Sequence, residues 1–349
     1  MKYFFGIFVF LALGTVLSHK WIDQYEASGP DLLTDQWQIL AGTDCQGVVQ
    51  NSCLCLESQK PLKSISICQE VTGFRAEMTL LLSARMRCEK VTPGPKPWNR
   101  ARLLLVQYDG KNERWDFPHS VGKPFEGTMN WKRFGTVFTV NPLTEKLRVV
   151  AQMSQCRGRF KLKDIHLVPV IERPAYVWAK RVVLLLWALF GLVFVNAIFF
   201  RTRRSTLLNV VLGLAFAGII IGTTMPAGMK NQMIKEVKAG AAFAKETIVP
   251  ADKRKILWQP DKVGHFCLFA LFGYILISVL EQDAGFTVLV YTLMVAAGTE
   301  LAQIYIDGRS GHLSDFFIDA AGGCLGIMIA LLGQRLNNKR IKGGGNDWV

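Results

Sequence analysis

The chain has 349 residues, 50% of them hydrophobic, which is enough for one soluble domain together with a small membrane bundle. Its formal net charge of +14 sits on no recognisable nucleic-acid module, so no nucleic-acid partner is expected. The excess cation is read as membrane-flanking charge and attraction to anionic headgroups.

Lys2 followed by the apolar run Tyr3 to Leu17 reads as an N-terminal anchor or signal over residues 1–18. No small-x-small cleavage site follows at Ser18-His19-Lys20-Trp21, which favours an uncleaved anchor. Residues 19–174 contain no long apolar run. Short β-rich stretches recur instead at Ala76 to Leu82, Ala101 to Tyr108, Thr136 to Val140, Leu147 to Met153 and Phe160 to Val170, separated by Gly, Asn and Pro turns. This pattern predicts an exported antiparallel β-sandwich.

Cys45, Cys53, Cys55, Cys68, Cys88 and Cys156 fall in that region, and Cys267 and Cys324 fall in apolar segments. An even set behind an export signal predicts up to three disulfides. Cys53 and Cys55 lack a following zinc hook, and neither a metal nor a cofactor is expected.

Residues 175–226 hold two predicted spans, Val177 to Phe200 and Leu207 to Thr224, against the roughly 20 residues that a crossing needs. Residues 227–262 form a basic extracytoplasmic loop in which Met233, Ile234, Val237, Ala241, Ala244 and Ile248 recur at helical spacing, as in an interfacial helix. Residues 263–335 supply three more helices, and 336–349 a cytoplasmic tail. Arg201, Arg203 and Arg204 sit on the inner face under this topology, while the basic loop runs against the positive-inside tendency.

Ionisable residues crowd the ends of the last three apolar segments: Asp261, Lys262, His265, Glu300, Gln303, Arg309, Asp315 and Asp319. Helices that alternate in direction bring the start of the first, the end of the second and the start of the third to one membrane face. Spacings of three and four place each pair on one side of its helix. Such groups are costly in a hydrocarbon layer and mark function. His265, Glu300 and Asp315 are the candidate acid/base groups. Structural pairing, headgroup binding and hydrolysis of a phosphorylated lipid all stay open, so enzymatic activity is undecided.

The run Asp261-Lys-Val-Gly-His265-Phe266-Cys-Leu-Phe269, then Glu300-Leu-Ala-Gln303, Arg309, Asp315 and the glycines Gly322, Gly323 and Gly326, resembles the VanZ-like membrane family. The resemblance implies a link to glycopeptide tolerance and Asn at the position of Asp319. Trp131 to Val140 and Gly158 to Leu167 are similar to the closing strands of galactose-binding-like and carbohydrate-binding jelly rolls. Among the aromatics, Trp98 and Trp115 are the candidate sugar platforms.

The combined expectation is a multidomain membrane protein: an N-terminal anchor, an all-β jelly-roll sandwich and a five-helix transmembrane bundle. It is expected to be multi-pass in the inner (cytoplasmic) membrane with the sandwich outside, binding a lipid or lipid-linked intermediate at the outer face. Its sandwich is expected to bind glycan or an envelope protein. A structural scaffold is the remaining alternative.

Overall fold

A computed structural model describes residues 2–41, 45–50, 53–59, 64–201, 206–225, 260–280, 284–306 and 311–343. The chain divides into two compact units, one made of Gln24–Arg173 and the other of Met1–Asp23 with Pro174–Val349.

The first unit is a two-sheet β-sandwich of eleven strands: β1 (Tyr25–Ala27), β2 (Gln38–Ala41), β3 (Cys45–Gln50), β4 (Cys53–Ser58), β5 (Ile65–Val71), β6 (Thr79–Thr92), β7 (Ala101–Asp109), β8 (Asn112–Glu113), β9 (Gly127–Thr139), β10 (Lys146–Met153) and β11 (Arg157–Glu172). One sheet runs β3-β4-β11-β6-β9, with β1 added to β11; the other runs β2-β5-β10-β7-β8. Every strand pairing is antiparallel.

Period-two alternation builds the core between the sheets. On β4, Leu54 and Leu56 point inward while Cys53 and Cys55 do not; on β10, Leu147, Val149, Ala151 and Met153 are all enclosed. Residues from both sheets, including Met86, Leu103, Leu105, Phe160 and Leu162, share one apolar cluster. Facing sheets of this kind must each supply an apolar surface.

The predicted disulfides are not formed among the described residues: Cys53, Cys55, Cys68 and Cys88 carry free thiols. Strand direction explains this. Cys53 and Cys55 alternate with core leucines, whereas Cys88 sits inside the core. Burial, together with nearby Cys156, pushes the Cys88 thiol up to about 12.

The second unit contains α1 (Lys2–Trp21), α2 (Pro174–Arg201), α3 (Thr206–Thr224), α4 (Pro260–Val279), α5 (Gly285–Gln303) and α6 (Leu313–Gly343). Among the described residues, six helices are long and apolar enough to cross a membrane. The helix α6 extends past residue 335, where a tail was expected, to Gly343. Cys267 and Cys324, within apolar segments, are exposed on their helices. The expected interfacial helix at 227–262 lies almost wholly outside the described residues.

The helix α1 is integrated into the bundle. Phe4 and Phe8 pack edge-on or tilted against Phe190, Phe194, Tyr291 and Trp187 of α2 and α5. Trp187 Nε1 donates to Thr15 Oγ1 at 2.9 Å, and Ser18 Oγ lies 2.6 Å from the Tyr305 hydroxyl. With little hydrophobic drive between helices in lipid, such polar links and close packing hold a bundle together.

The tightest seam joins α4 to α6. A methyl group at Gly273 would stand 2.5 Å from the carbonyl oxygen of Gly323, and methyls at Gly322 and Gly326 would overlap the carbonyls of Phe266 and Ala270. Three glycines therefore let the two backbones touch, which fixes their register.

Replacing Gly326 by Val is expected to lower the thermal midpoint and the folded yield in detergent, since overpacking of this kind costs about 1–3 kcal/mol or more. The same change at Gly333, where nothing lies within 4 Å, should be nearly silent. Maleimide labelling of the folded chain at pH 8 should spare Cys88 while modifying Cys267 and Cys324, and reductant should not increase the thiol count at Cys53, Cys55, Cys68 or Cys88.

Candidate functional site

The α4–α6 seam lines up the polar residues at its open end. Lys262 Nζ lies 3.6 Å from Asp315 Oδ1, and one turn further in His265 Nδ1 lies 3.5 Å from Asp319 Oδ1. Further in again are the glycine contacts at Phe266 and Ala270. Register therefore runs without a break from packing to chemistry.

The third element is the C-terminal end of α5. Glu300 is 8% exposed, and its Oε2 accepts the backbone N–H of His312 at 2.8 Å. His312 directly precedes α6, so Glu300 satisfies a backbone donor at the start of a neighbouring helix. Gly311 permits this approach, because a methyl there would come 2.5 Å from the Glu300 carbonyl oxygen. Gln303 follows on the same helix and is buried.

Asp315 lies in the first turn of α6 rather than ahead of it as a cap. Its carboxylate meets Lys262 and accepts the Ser314 hydroxyl at 3.1 Å. An acid in that position also interacts favourably with the positive end of the helix.

What distinguishes the site is what its oxygens lack. Asp319 is 0% exposed, and among the described residues neither of its carboxylate oxygens has a hydrogen-bond partner; Glu300 Oε1 likewise has none there. The His265 contact, at 3.5 Å, is an ion-pair distance and longer than a good hydrogen bond. Asp315, Asp319 and His265 are all near enough to Glu300 to interact with its charge. Enclosed acceptors without donors are rare and expensive, at about 1–3 kcal/mol each, more when charged.

Of the expected site residues, Lys262, His265, Glu300, Asp315 and Asp319 converge at one end of the bundle. Asp261 stands in the first turn of α4 with its side chain outside the description. Arg309 lies outside the described residues altogether.

Tyr305 was not singled out in the sequence. It is enclosed beside Ser18, Thr15, His19 and Tyr176, which brings the end of α1 and the start of α2 to the same end of the bundle. Thr15 and Ser18, three residues apart in an otherwise apolar run, were the available signal. On the sandwich, Trp98 is 52% exposed with Lys96 over its ring, and Trp115 is 48% exposed and edge-on to His119.

Residues 182–334 match the VanZ/LLP1 family. The VanZ/LLP1 region thus takes in most of α2, all of α3 to α5 and α6 as far as Gln334, including Lys262, His265, Glu300, Gln303, Asp315 and Asp319. No curated protein matches the chain. Among solved structures, the N-terminal cellulose-binding domain from Cellulomonas fimi beta-1,4-glucanase C is 15% identical, covering 44% of this chain and 98% of that one, with a TM-score of 0.29. The CBM22-1 xylan-binding domain from Paenibacillus barcinonensis Xyn10C is 12% identical over 41% of this chain and 97% of that one, also at 0.29. Likeness at that level says nothing of ligand; the sandwich stands on its own strand order. Apolar helices and the VanZ/LLP1 match together make this a multi-pass membrane protein.

Replacing His265 by Ala leaves Asp319 enclosed without a counter-group and should destabilise the bundle by about 3–5 kcal/mol. Asp319→Asn removes the charge while keeping the shape, so His265→Ala should cost far less in that background. A double-mutant cycle on unfolding in detergent measures the difference, and additive effects would show that the two side chains do not interact.

Proposed function

We propose that the polar end of the VanZ/LLP1 region binds the headgroup of a lipid or lipid-linked envelope intermediate at the outer face of the cytoplasmic membrane. The carrying observation is the set of enclosed oxygens on Asp319 and Glu300 that have no donor among the described residues, beside His265. Free acceptors call for donors, so ammonium or hydroxyl groups on the headgroup are the complementary chemistry. Lys262, already near Asp315, is placed to meet an accompanying phosphate.

The outer-face assignment is supported by chain connectivity. The chain leaves α1 for the sandwich just beyond Trp21 and re-enters the bundle at Pro174. Those two helix ends lie beside Tyr305, at the polar end of α5. That connectivity supports the reading in which the sandwich and the pocket belong to one side of the membrane. On that side the sandwich binds glycan or an envelope protein, with Trp98 and Trp115 as its exposed aromatics.

The test is single replacement of His265, Glu300, Asp315 and Lys262 by Ala, reading folded yield and binding of headgroup-defined lipids in parallel. Headgroup recognition predicts at least about a tenfold loss of binding for Glu300→Ala with retained yield, the size of one lost charge-assisted hydrogen bond. Loss of yield in all four with lipid binding unchanged in whatever folds would identify a scaffold. Turnover of a phosphorylated lipid that disappears in Glu300→Ala or His265→Ala would identify a hydrolase.

A further inference from the structure

The outer face of the larger sheet carries a second constellation, outside both the bundle pocket and the exposed tryptophans. Strand register sets it out in rows. Arg85 on the central strand β6 stands directly opposite Arg133 on β9 and opposite Lys163 on β11, so three cations form one line across the sheet. In the next row Arg87 stands opposite Lys161, and in the next Glu89 stands opposite Arg159. Neighbouring core residues Ala84, Met86 and Leu162 point the other way, into the sandwich, which confirms that the cations share the outer face.

Six cations, Arg85, Arg87, Arg133, Arg159, Lys161 and Lys163, are met there by few acids. Glu89 pairs with Arg87, Arg159 and Lys161; Glu57 pairs with Arg159; Asp164 approaches Arg85 at 3.8 Å. Among the described residues, no ion pair reaches Arg133 or Lys163. Like charges placed directly opposite on adjacent strands destabilise a sheet, and here Arg85 faces one on each side. A fold gains nothing by this arrangement, so the arrangement points outward.

We propose that this sheet face is a binding surface for a linear polyanionic glycan, one bearing carboxylate, sulfate or phosphate groups along its length. The rows are separated by strand and residue spacings of about 5–7 Å, comparable to the spacing of charges along such a chain. Arginines whose guanidinium groups are already oriented by Glu57 and Glu89 lose little freedom on meeting an oxyanion, and their planar fork matches it in two bonds. A bilayer surface fits less well. Trp131, the aromatic of this face, is half-buried with the Lys163 ammonium 4.8 Å above its ring, so it offers no protruding apolar anchor to headgroups.

This deepens the reading of the sandwich as a glycan- or partner-binding module, but on strands that carry neither Trp98 nor Trp115. The full chain in phosphatidylcholine nanodiscs is titrated with polygalacturonate, dextran sulfate and neutral dextran at low and physiological salt, and with vesicles containing phosphatidylglycerol. Expected are binding of both polyanions, no binding of neutral dextran, and affinity that falls steeply with salt. The pair Arg133→Thr with Lys163→Thr should weaken polyanion binding about tenfold or more while leaving the sandwich's thermal midpoint unchanged or higher, since each change relieves repulsion at Arg85. Equal binding of neutral dextran, binding to vesicles alone, binding to nothing, or a midpoint that falls with unchanged affinity would each overturn the proposal. A loss of neutral-glycan binding confined to Trp98→Ala or Trp115→Ala would uphold the broader reading while this surface failed.

Discussion

The contact that everything at the polar end depends on is the meeting of the α4 and α6 backbones at Gly273, Gly322 and Gly326. In lipid, two apolar helices gain nothing from hiding their side chains from one another, so association rests on how closely their backbones approach. The glycines give that approach, and a close contact admits only one axial register. Because Lys262 and His265 occupy the turns leading into the seam on one helix, and Asp315 and Asp319 those on the other, the same register that satisfies dispersion also sets Lys262 and His265 against the two acids. The seam also withdraws Asp319 from solvent, which is why its carboxylate is an energetic liability unless something arrives to meet it.

A different logic holds the sandwich. There the apolar faces of two sheets do turn from water, and alternation along each strand decides what lies inside. That leaves the outward residues unconstrained by packing, and on the larger sheet they are dominated by one sign of charge. The two units therefore hold their chemistry oppositely: acids enclosed in the bundle, cations spread on the sheet.

Much of the architecture could be read from residue order. Long apolar segments such as Leu207 to Thr224 declare helices because nothing else satisfies their backbone in hydrocarbon, and the Ala101 to Tyr108 and Leu147 to Met153 stretches declare strands by length and turn chemistry. The early strands were not legible. In β4, Leu54 and Leu56 alternate with cysteines, which drew attention to sulfur bridges and away from the pleat that turns those sulfurs outward. At the pocket, helix-face spacing relates Asp261 to His265 and Asp315 to Asp319 within their own helices, but the approach of His265 to Asp319 across helices needed the axial register, which three glycines fix only once the backbones are in contact. The Glu300 bond to the His312 N–H could not be read either, since a backbone donor at a helix start has no side-chain signature. Asp315 illustrates the same limit: it has the composition of a cap, yet the helix begins two residues earlier.

The first and last strands of the sandwich, β1 and β11, lie side by side, with Tyr25 opposite Glu172, and the Arg173 N–H donates to the Gln24 carbonyl at 3.0 Å. The whole module thus hangs from a single two-stranded stem, in the manner of a cassette spliced into a hairpin between two helices. Such a geometry lets the module be exchanged or lost without respacing α1 and α2, so helices of one kind can carry different inserts while they themselves stay where they were.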